Sequence, residues 1–263
     1  MTAIVLTGGH PFESEPFFAV FDEMEGVDWR HLAHPDAYAH LAATDLSDDV
    51  LVFYDMPGVE FTGSDPPMRA TSPPDEVVEL FERMTRDGVP MVFLHHAIAS
   101  WPAWPAFAEM LGGRFHYAPG SFMGQDWPGS GYRHDVTHTM EVLDPDHPVC
   151  VGLGGHFTIT DELYLFPVDE AAVMPLMRSA ATFADTEFFS ADLAIRGERG
   201  SRDGWAHPPG SDLVAWTTTA GASTIVYLQF GDGPQAYADP AYRRALRNAI
   251  TWAARRPTTP DSP

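Results

Sequence analysis

The stretch PMVFLHH at residues 90–96 joins a short apolar run to two adjacent histidines. An unbroken apolar run is typical of a strand buried on both faces, and Gly88 just before it marks the end of a preceding helix. In an open α/β sheet, ligands bind beyond the carboxyl ends of the parallel strands. The stretch therefore predicts a central strand that delivers His95 and His96 to a binding site.

Two further apolar runs have the same character as this strand. Residues 3–6 end near a pair of glycines, and residues 50–54 lead into Asp55. After each run, apolar side chains recur at helical spacing, over residues 17–24 and 77–84. The order of strand, helix, strand, helix and strand predicts a parallel sheet that helices cover on both faces.

The middle of the chain has a different composition. From about residue 114 to residue 209 it is rich in Gly, Pro, His and aromatic residues, which predicts an irregular insertion. Two pieces inside it, residues 137–143 and 157–164, alternate in polarity as strands do. We expect residues 185–207 to run over the surface.

The last part of the chain returns to the pattern of a sheet. Residues 213–216 and 223–230 indicate two more strands, and Asp239, which a proline follows, marks the start of a final helix. We therefore expect one α/β domain over residues 1–256, with the insertion inside it. A C-terminal tail is expected over residues 257–263.

The charge of the chain limits its partners. The 263 residues include 37 Asp and Glu against 15 basic residues, a formal net charge of −22. Such a surface repels the phosphates of nucleic acids and anionic membrane surfaces, so we expect neither partner. The N-terminus does not resemble a signal peptide, and no apolar run reaches membrane-spanning length. We expect a cytoplasmic protein.

Lysine is absent from the chain and cysteine occurs once, at Cys150. Schiff-base enzymes, pyridoxal-phosphate enzymes and P-loop NTPases all need a lysine amine, so these classes are excluded. We accordingly expect no nucleotide and no pyridoxal cofactor. A single cysteine also allows no intrachain disulfide and no cysteine-based zinc cluster.

Short motifs along nearly the whole chain form an ordered set. They are Gly9-His10, Leu94-His95-His96-Ala97, His147-Pro148-Val149, Asp161-Glu162-Leu163-Tyr164, Gly231-Asp232-Gly233, Tyr237 with Asp239-Pro240, and Asn248-Ala249-Ile250-Thr251-Trp252. In this order they resemble the trehalose-utilisation (ThuA-like) family. The resemblance implies a flavodoxin-like three-layer sandwich similar to class I glutamine amidotransferases, a role in sugar metabolism and, in some members, a bound divalent metal.

The chain departs from these relatives in two places. Many members of the family carry histidine where Asp232 stands. Glutamine amidotransferases need a cysteine nucleophile at the elbow, whereas this chain has His95 and His96 there. Hydrolysis of glutamine through a thioester is therefore excluded, and the chain is not expected to be a glutamine amidotransferase.

Imidazoles and carboxylates follow several predicted strands, at the edge of the sheet where ligands bind. Such groups can hold zinc or manganese, and we predict a metal site formed by His10, His96, Asp161 and Glu162. We assign catalytic roles to His95, His96 and Glu162. Neighbours on an extended chain face opposite sides, so we expect one histidine of the pair and, of the two carboxylates, Glu162 to face the pocket.

A second group of residues is predicted to bind substrate: Tyr54, Asp55, Trp101, Tyr117, His134, Tyr164 and Asp232. Trp101 and Trp104 flank the elbow, where they either stack against a sugar or pack in the core. Tyr117, His134 and His138 belong to the insertion and form either a lid or part of the structure. Tyr164 is expected on the same side as Glu162.

These groups suggest an enzyme that acts on an oxidised sugar, specifically a 3-keto-glycoside. A ketone at C3 acidifies the proton at C2, so a base such as His95 could remove it while a metal near His10 and Glu162 stabilises the enediolate. The aglycone then leaves C1, and water adds back to complete a net hydrolysis.

Two other functions remain open at the level of sequence. One is a sugar-binding or regulatory protein that performs no chemistry, and the other is a metal-dependent hydrolase of an ester or amide. Resemblance of fold does not choose among the three. We expect a small-molecule carbohydrate as partner, and the sequence is compatible with a homo-oligomer.

Overall fold

The computed structural model describes residues 1–255, so the tail expected at residues 257–263 lies outside the described residues. The strands are β1 Thr2–Gly8, β2 Asp28–Ala33, β3 Asp49–Asp55, β4 Val59–Phe61, β5 Met68–Ala70, β6 Met91–Leu94, β7 Gly120–Phe122, β8 Gln125–Trp127, β9 Gly131–Val142, β10 His156–Leu165, β11 Met174–Ser179, β12 Phe189–Ser190, β13 Leu213–Ala220 and β14 Ser223–Leu228. The α-helices are α1 Ser14–Asp22, α2 Ala37–Ala42, α3 Asp75–Asp87, α4 Pro105–Leu111, α5 Ala191–Ile195, α6 Pro234–Ala238 and α7 Pro240–Ala253, and two 3₁₀ helices span His95–Ala99 and Asp185–Glu187. Within this part of the chain, no helix is both long and apolar enough to cross a membrane.

The main sheet has a parallel half and an antiparallel half. The parallel half has the order β2, β1, β3, β6 and β14, which is the order of a flavodoxin-like fold. Strands β13, β11, β9 and β10 extend it as antiparallel neighbours, and β12 pairs with β9. The predicted α/β fold, a parallel sheet with helices on both faces, is confirmed.

Alternate residues of the parallel strands enter two separate apolar cores. Val50 and Val52 of β3 pack in the core that also contains residues of α1 and α7. Leu51 and Phe53 pack in the core that contains residues of α3 and α4. Because both faces are buried, these strands appear in the sequence as unbroken apolar runs rather than alternating ones.

Residues 114–209 are more regular than the irregular insertion that the sequence predicts. The two strand-like pieces at 137–143 and 157–164 belong largely to β9 and β10, which form one antiparallel ladder. Strand β11 then joins β9 to β13 and so to the rest of the sheet. The exposed faces of these strands are polar, so the composition of the segment does not show how long the strands are.

The carboxyl ends of the parallel strands meet at one edge of the sheet. The loops after β1 and β3 touch there, since the backbone N–H of Met56 donates to the carbonyl of Gly8 at 2.8 Å. Gly9 permits this approach, because a Cβ at its position would lie 2.3 Å from the Met56 carbonyl oxygen. This edge carries the candidate site.

Candidate functional site

The chain turns sharply at the end of β6. His95 has a φ of 45°, in the left-handed region that residues with a side chain seldom adopt, and it begins the 3₁₀ helix His95–Ala99. The expectation that His95 and His96 face opposite sides rested on an extended chain, which is absent at this turn. Both side chains are buried, and their ring centroids lie 5.8 Å apart.

Both ring nitrogens of His95 are engaged. Nδ1 donates to the backbone carbonyl of Gln229 at 2.5 Å. Nε2 lies 3.0 Å from Oε2 of Glu162 and 3.2 Å from Oδ1 of Asp232. A neutral imidazole with its hydrogen on Nδ1 would turn a lone pair on Nε2 toward two negative oxygens. The geometry therefore requires a positive charge between Nε2 and the carboxylates, either a proton or a metal ion.

We call His95, Glu162 and Asp232 the cation centre. One possible ligand atom from each lies within 4.8 Å of the others. Burial alone would lower the pKa of His95, but the Asp232 and Glu162 carboxylates raise it well above its ordinary value. Burial alone would raise the pKa of Asp232, but His95 holds it well below its usual range. Only Glu162 is common to this group and to the metal site predicted from the sequence.

Glu162 connects the buried centre to the surface. Its side chain is 6% exposed, with Oε2 toward His95 and Oε1 lying 3.0 Å from Nδ1 of His134. His134, on the neighbouring strand β9, is 61% exposed, and Asp232 is 29% exposed. The solvent-exposed side of the cation centre is therefore the side that His134 and Asp232 border.

Asp161 serves the backbone instead of the predicted metal site. Its Oδ1 accepts from the backbone N–H of Glu162 at 2.8 Å and of Asp232 at 3.1 Å, and its Oδ2 accepts from that of Gly231 at 2.5 Å. Burial raises the pKa of this carboxyl to about 6, against the lowering influence of His95 and the backbone donors. The register of β10 shifts between Asp161 and Leu163, so both acidic residues are buried where simple alternation expects one.

His10 and His96 form a stacked pair of imidazoles beside the cation centre. Their ring centroids are 4.3 Å apart, and Nε2 of His96 donates to the Tyr54 carbonyl at 3.2 Å. Burial, followed by the charges of His10 and His95, lowers the pKa of His96 well below its ordinary value. Its Nδ1 therefore carries a lone pair, which meets no hydrogen-bond partner among residues 1–255. The Tyr54 hydroxyl donates to the backbone carbonyl of Asp232 at 3.2 Å.

Two of the tyrosines predicted to bind substrate border the cation centre. The ring of Tyr164 lies 4.4 Å from that of His95 and 4.6 Å from that of Phe115. The ring of Tyr117 packs edge-on against that of Phe115, with centroids 5.1 Å apart. Burial, followed by the charge of Glu162, raises the pKa of both tyrosines, so their hydroxyls stay protonated.

Asp55 and Trp101 lie in a separate cluster, away from their predicted role at the site. The Asp55 carboxylate accepts from the Tyr38 hydroxyl at 3.0 Å and lies 2.5 Å from Nε2 of His34. Trp101 is 6% exposed and stacks on Tyr38 with ring centroids 6.1 Å apart. Alternation along β3 explains this placement, because Tyr54 and Asp55 point to opposite faces of the sheet.

Two further candidates also have structural partners. Trp104 packs edge-on against Phe81, with ring centroids 5.5 Å apart. His138 is buried and shares a hydrogen bond of 2.7 Å with the Ser179 hydroxyl. We therefore assign Trp104 to core packing and His138 to the structure of the sheet, rather than to a sugar platform or a lid.

Gln229 is a site residue that reasoning from the sequence missed. Its backbone carbonyl orients His95, and its side-chain Oε1 accepts from the backbone N–H of Tyr164 at 3.0 Å. Gln229 is buried at the end of the apolar run 223–230. A side-chain amide in an apolar run is buried and needs hydrogen-bond partners inside the protein. The position of Gln229 in such a run could therefore have identified it as a site residue.

A family model described as ThuA, trehalose utilisation, matches residues 27–253. No curated protein matches the chain.

Among solved structures, the fold is similar to that of a protein from Parabacteroides merdae described as ThuA-like. The two are 16% identical with a TM-score of 0.68, over 100% of this chain and 92% of that one. A protein from Bacteroides uniformis, also described as ThuA-like, is 16% identical with a TM-score of 0.57, over 96% of this chain and 90% of that one. PurLQS from Thermotoga maritima is 9% identical with a TM-score of 0.53, over 95% of this chain and 98% of that one. At these identities the likeness shows the fold alone.

Proposed function

Because the chain belongs to the ThuA family, whose model is described as trehalose utilisation, we propose that it acts in sugar metabolism. The proposed reaction is cleavage of an oxidised glycoside, a 3-keto-glycoside, with the help of a divalent cation. One observation carries the proposal. His95, fixed by the Gln229 carbonyl, turns Nε2 toward the carboxylates of Glu162 and Asp232.

The donor set supports a metal ion as well as a proton at this point. One imidazole nitrogen and two carboxylates suit zinc or manganese. A backbone carbonyl on the far nitrogen is a usual second partner of a histidine that binds metal. A bound ion would supply a Lewis acid that stabilises negative charge developing on a ketone oxygen of the sugar.

We assign proton transfer to His134 instead of His95. Both ring nitrogens of His95 have partners, and its side chain is fully buried. The side chain of His134 is exposed, and only its Nδ1 contacts Glu162. Glu162 orients His134 by accepting from Nδ1, which leaves the lone pair on Nε2. This is the arrangement of a general base supported by a carboxylate.

The bond changes then follow from these positions. Nε2 of His134 removes the proton from C2 of the 3-keto sugar, the C1–O bond breaks, and its electron pair leaves with the aglycone oxygen. That oxygen takes up a proton, which His134 can return. Water adds to C1 of the unsaturated ketone and C2 regains a proton, so the net reaction is hydrolysis.

The test combines metal analysis with an assay. Protein purified without chelators should contain about one equivalent of divalent metal. Glu162→Gln and Asp232→Asn should lose it, whereas Glu141→Gln, which changes an exposed carboxylate on β9, should keep it. Wild-type protein should cleave a 3-keto-glycoside and leave the unoxidised glycoside intact.

The outcomes separate the open functions. Metal with activity on simple esters alone would indicate a different metal-dependent hydrolase. Sugar binding without turnover of any keto-glycoside would indicate a binding protein. Wild-type protein that takes up no metal even after soaking would leave a proton on His95 as the cation and remove the metal from the proposal.

A further inference from the structure

Within residues 1–255, four residues other than glycine have a positive φ: His95, Trp101, Met123 and Asp135. Two of the four lie beside Glu162. His95 is one partner of the Glu162 carboxylate, and Asp135 directly follows His134, the other partner. Residues with a side chain seldom adopt this left-handed conformation, and those that do cluster at functional sites. An unusual backbone conformation therefore presents both of the imidazoles that share Glu162.

Asp135 belongs to a bulge in which two residues of β9 face one residue of β10. On β10, Glu162 alone lies between the paired residues Asp161 and Leu163. On β9, His134 and Asp135 both lie between the partners of those two residues. An extra residue of this kind interrupts the ladder and changes the direction in which the neighbouring side chains point. Asp135, with a φ of 55°, is the residue at which the chain bends.

The bulge reverses the faces to which alternate residues of β9 point. Val136 and Met140 pack in the core that contains residues of α1 and α7. Tyr132 lies an even number of positions before them but packs in the other core, and its ring centroid is 5.2 Å from that of His134. In a continuous extended strand, residues an even number of positions apart share one face. The strand therefore changes faces at Asp135.

This reversal brings His134 to Glu162. Glu162 lies two positions before Tyr164, which packs in the same core as Tyr132. An ordinary extended conformation at Asp135 would instead direct His134 to the opposite face of the sheet, away from Glu162. Because the His134 side chain is 61% exposed, core packing contributes little to its position. The backbone conformation at Asp135 is then the main local constraint on His134.

We infer that Asp135 is a positioning residue, whose left-handed backbone keeps His134 against the Glu162 carboxylate. The inference rests on the proposed function, which assigns proton transfer to His134. The Asp135 side chain is exposed, and aspartate is one of the residues that tolerate the left-handed region best. The site therefore uses the conformation of Asp135 and not its charge.

Substitutions at position 135 separate conformation from charge. Asp135→Gly and Asp135→Asn remove the carboxylate but accept the left-handed backbone, so kcat on a 3-keto-glycoside should stay within about twofold of wild type. Asp135→Val introduces a β-branched side chain that disfavours this backbone. Its kcat should fall about 10- to 100-fold, as misplacement of a catalytic group implies. KM and metal content should stay near wild type, because the cation centre is unchanged.

A second background distinguishes positioning from a general loss of structure. In His134→Ala protein, Asp135→Val should lower kcat by less than about twofold, because the side chain that it displaces is already absent. A full 10- to 100-fold fall in that background would overturn the inference. An Asp135→Asn enzyme as slow as Asp135→Val would also overturn it, because the carboxylate itself would then be required.

The tautomer of His134 provides a measurement that needs no turnover. The contact with Glu162 keeps the hydrogen on Nδ1, and nitrogen NMR of labelled imidazoles distinguishes this form from the Nε2–H form. At a pH of about 8.5, where exposed imidazoles are neutral, wild type, Asp135→Gly and Asp135→Asn should show the Nδ1–H form. Asp135→Val should lose it. The missing signal of His134→Ala identifies the resonance.

The matched control is Met123→Val. Met123 also has a φ of 55°, but it is exposed and lies in the turn between β7 and β8, a sheet separate from the main one. Met123→Val should lower the melting temperature by a few degrees, as Asp135→Val does, and leave kcat and the His134 tautomer unchanged.

An unchanged tautomer in Asp135→Val, or an equal loss of kcat in Met123→Val, would contradict the positioning role. If the tautomer responds as expected but His134→Ala keeps wild-type kcat, Asp135 does position His134 and the proposed proton transfer fails.

Discussion

Glu162 divides its two oxygens between a buried imidazole and an exposed one. Oε2 faces His95 and Oε1 faces His134, so a single carboxylate serves both partners. His95 is committed at both nitrogens, and its environment keeps it positively charged or bound to a cation. At the scale of single residues, we therefore propose that one histidine holds charge and another moves protons.

This division predicts the effect of removing His134. His134→Ala should lower kcat on a 3-keto-glycoside by about 10²–10⁴, the range for a positioned acid or base. Metal content and melting temperature should stay near wild type, because the side chain is exposed and is not part of the cation centre. Steady-state kinetics, metal analysis and a melting curve on one preparation would check this.

The control for His134→Ala is His156→Ala, an exposed histidine on β10. It should leave kcat unchanged. A His134→Ala enzyme that keeps wild-type kcat would rule out His134 as the proton carrier.

At the scale of elements, three elements form the cation centre: His95 follows β6, and the acidic residues come from two others. Strand β10 contributes Asp161 and Glu162 from its bulge, and the loop after β14 contributes Asp232. Asp161 joins them, because it accepts backbone N–H groups from both sides of the junction. Placement of Asp232 therefore depends on the conformation of Gly231.

Gly231→Ala should disturb this loop. Gly231 has a φ of +116°, and a Cβ there would lie 2.6 Å from the ring of Tyr242, which is fully buried. The backbone must shift, so we expect a loss of stability of about 1–3 kcal/mol and weaker metal binding through the displaced Asp232. Urea unfolding and metal titration would measure the two effects.

The neighbouring Gly233 provides a matched control. Its φ of −148° is accessible to any residue, and a Cβ there would meet nothing within 4 Å. Gly233→Ala should therefore change stability by less than about 0.5 kcal/mol. Similar losses in the two variants would show that general sensitivity of the loop, and not the clash at Gly231, is responsible.

At the scale of the whole molecule, buried histidines link stability to pH. Burial lowers the pKa of His138 to about 4, against a value of 6.5 for an exposed histidine. Between these values the unfolded chain binds a proton that the folded chain does not, so stability is lost as the pH falls from 6.5 toward 4. For His138 alone the loss by pH 5 is about 1–2 kcal/mol.

His138→Asn should remove this contribution. The variant will be less stable than wild type at pH 7.5, but the difference in free energy of unfolding should shrink by about 1–2 kcal/mol at pH 5. Comparing the two proteins cancels the protonation of the many surface carboxylates. A difference that stays constant over this range, or that shrinks equally for the exposed His156→Asn, would contradict the assignment.

The chain's local patterns already determined which segments become strands and helices in the parallel half of the sheet. The apolar runs at 3–6, 50–54 and 90–94 became β1, β3 and β6, because burial on both faces demands unbroken apolar residues. The last helix begins at the predicted place, where the Asp239 carboxylate accepts from the backbone N–H groups of Ala241 and Tyr242. These strands and this helix start depend on residues close together in the chain and on the burial of apolar side chains.

The sequence also indicated which loops carry polar groups at the carboxyl edge, since parallel strands end together. It could not show how those groups pair. The contacts of His95 with Glu162 and with the Gln229 carbonyl join residues 67 and 134 positions apart, and the bulge after Asp161 is defined only by the pairing of β10 with β9. Only the tertiary structure therefore decided that His95, Glu162 and Asp232 share one centre, that Asp161 supports the backbone and that Trp101 is buried. Alternation along one strand predicts the face of a side chain, whereas its partner depends on how separate strands are brought together in space.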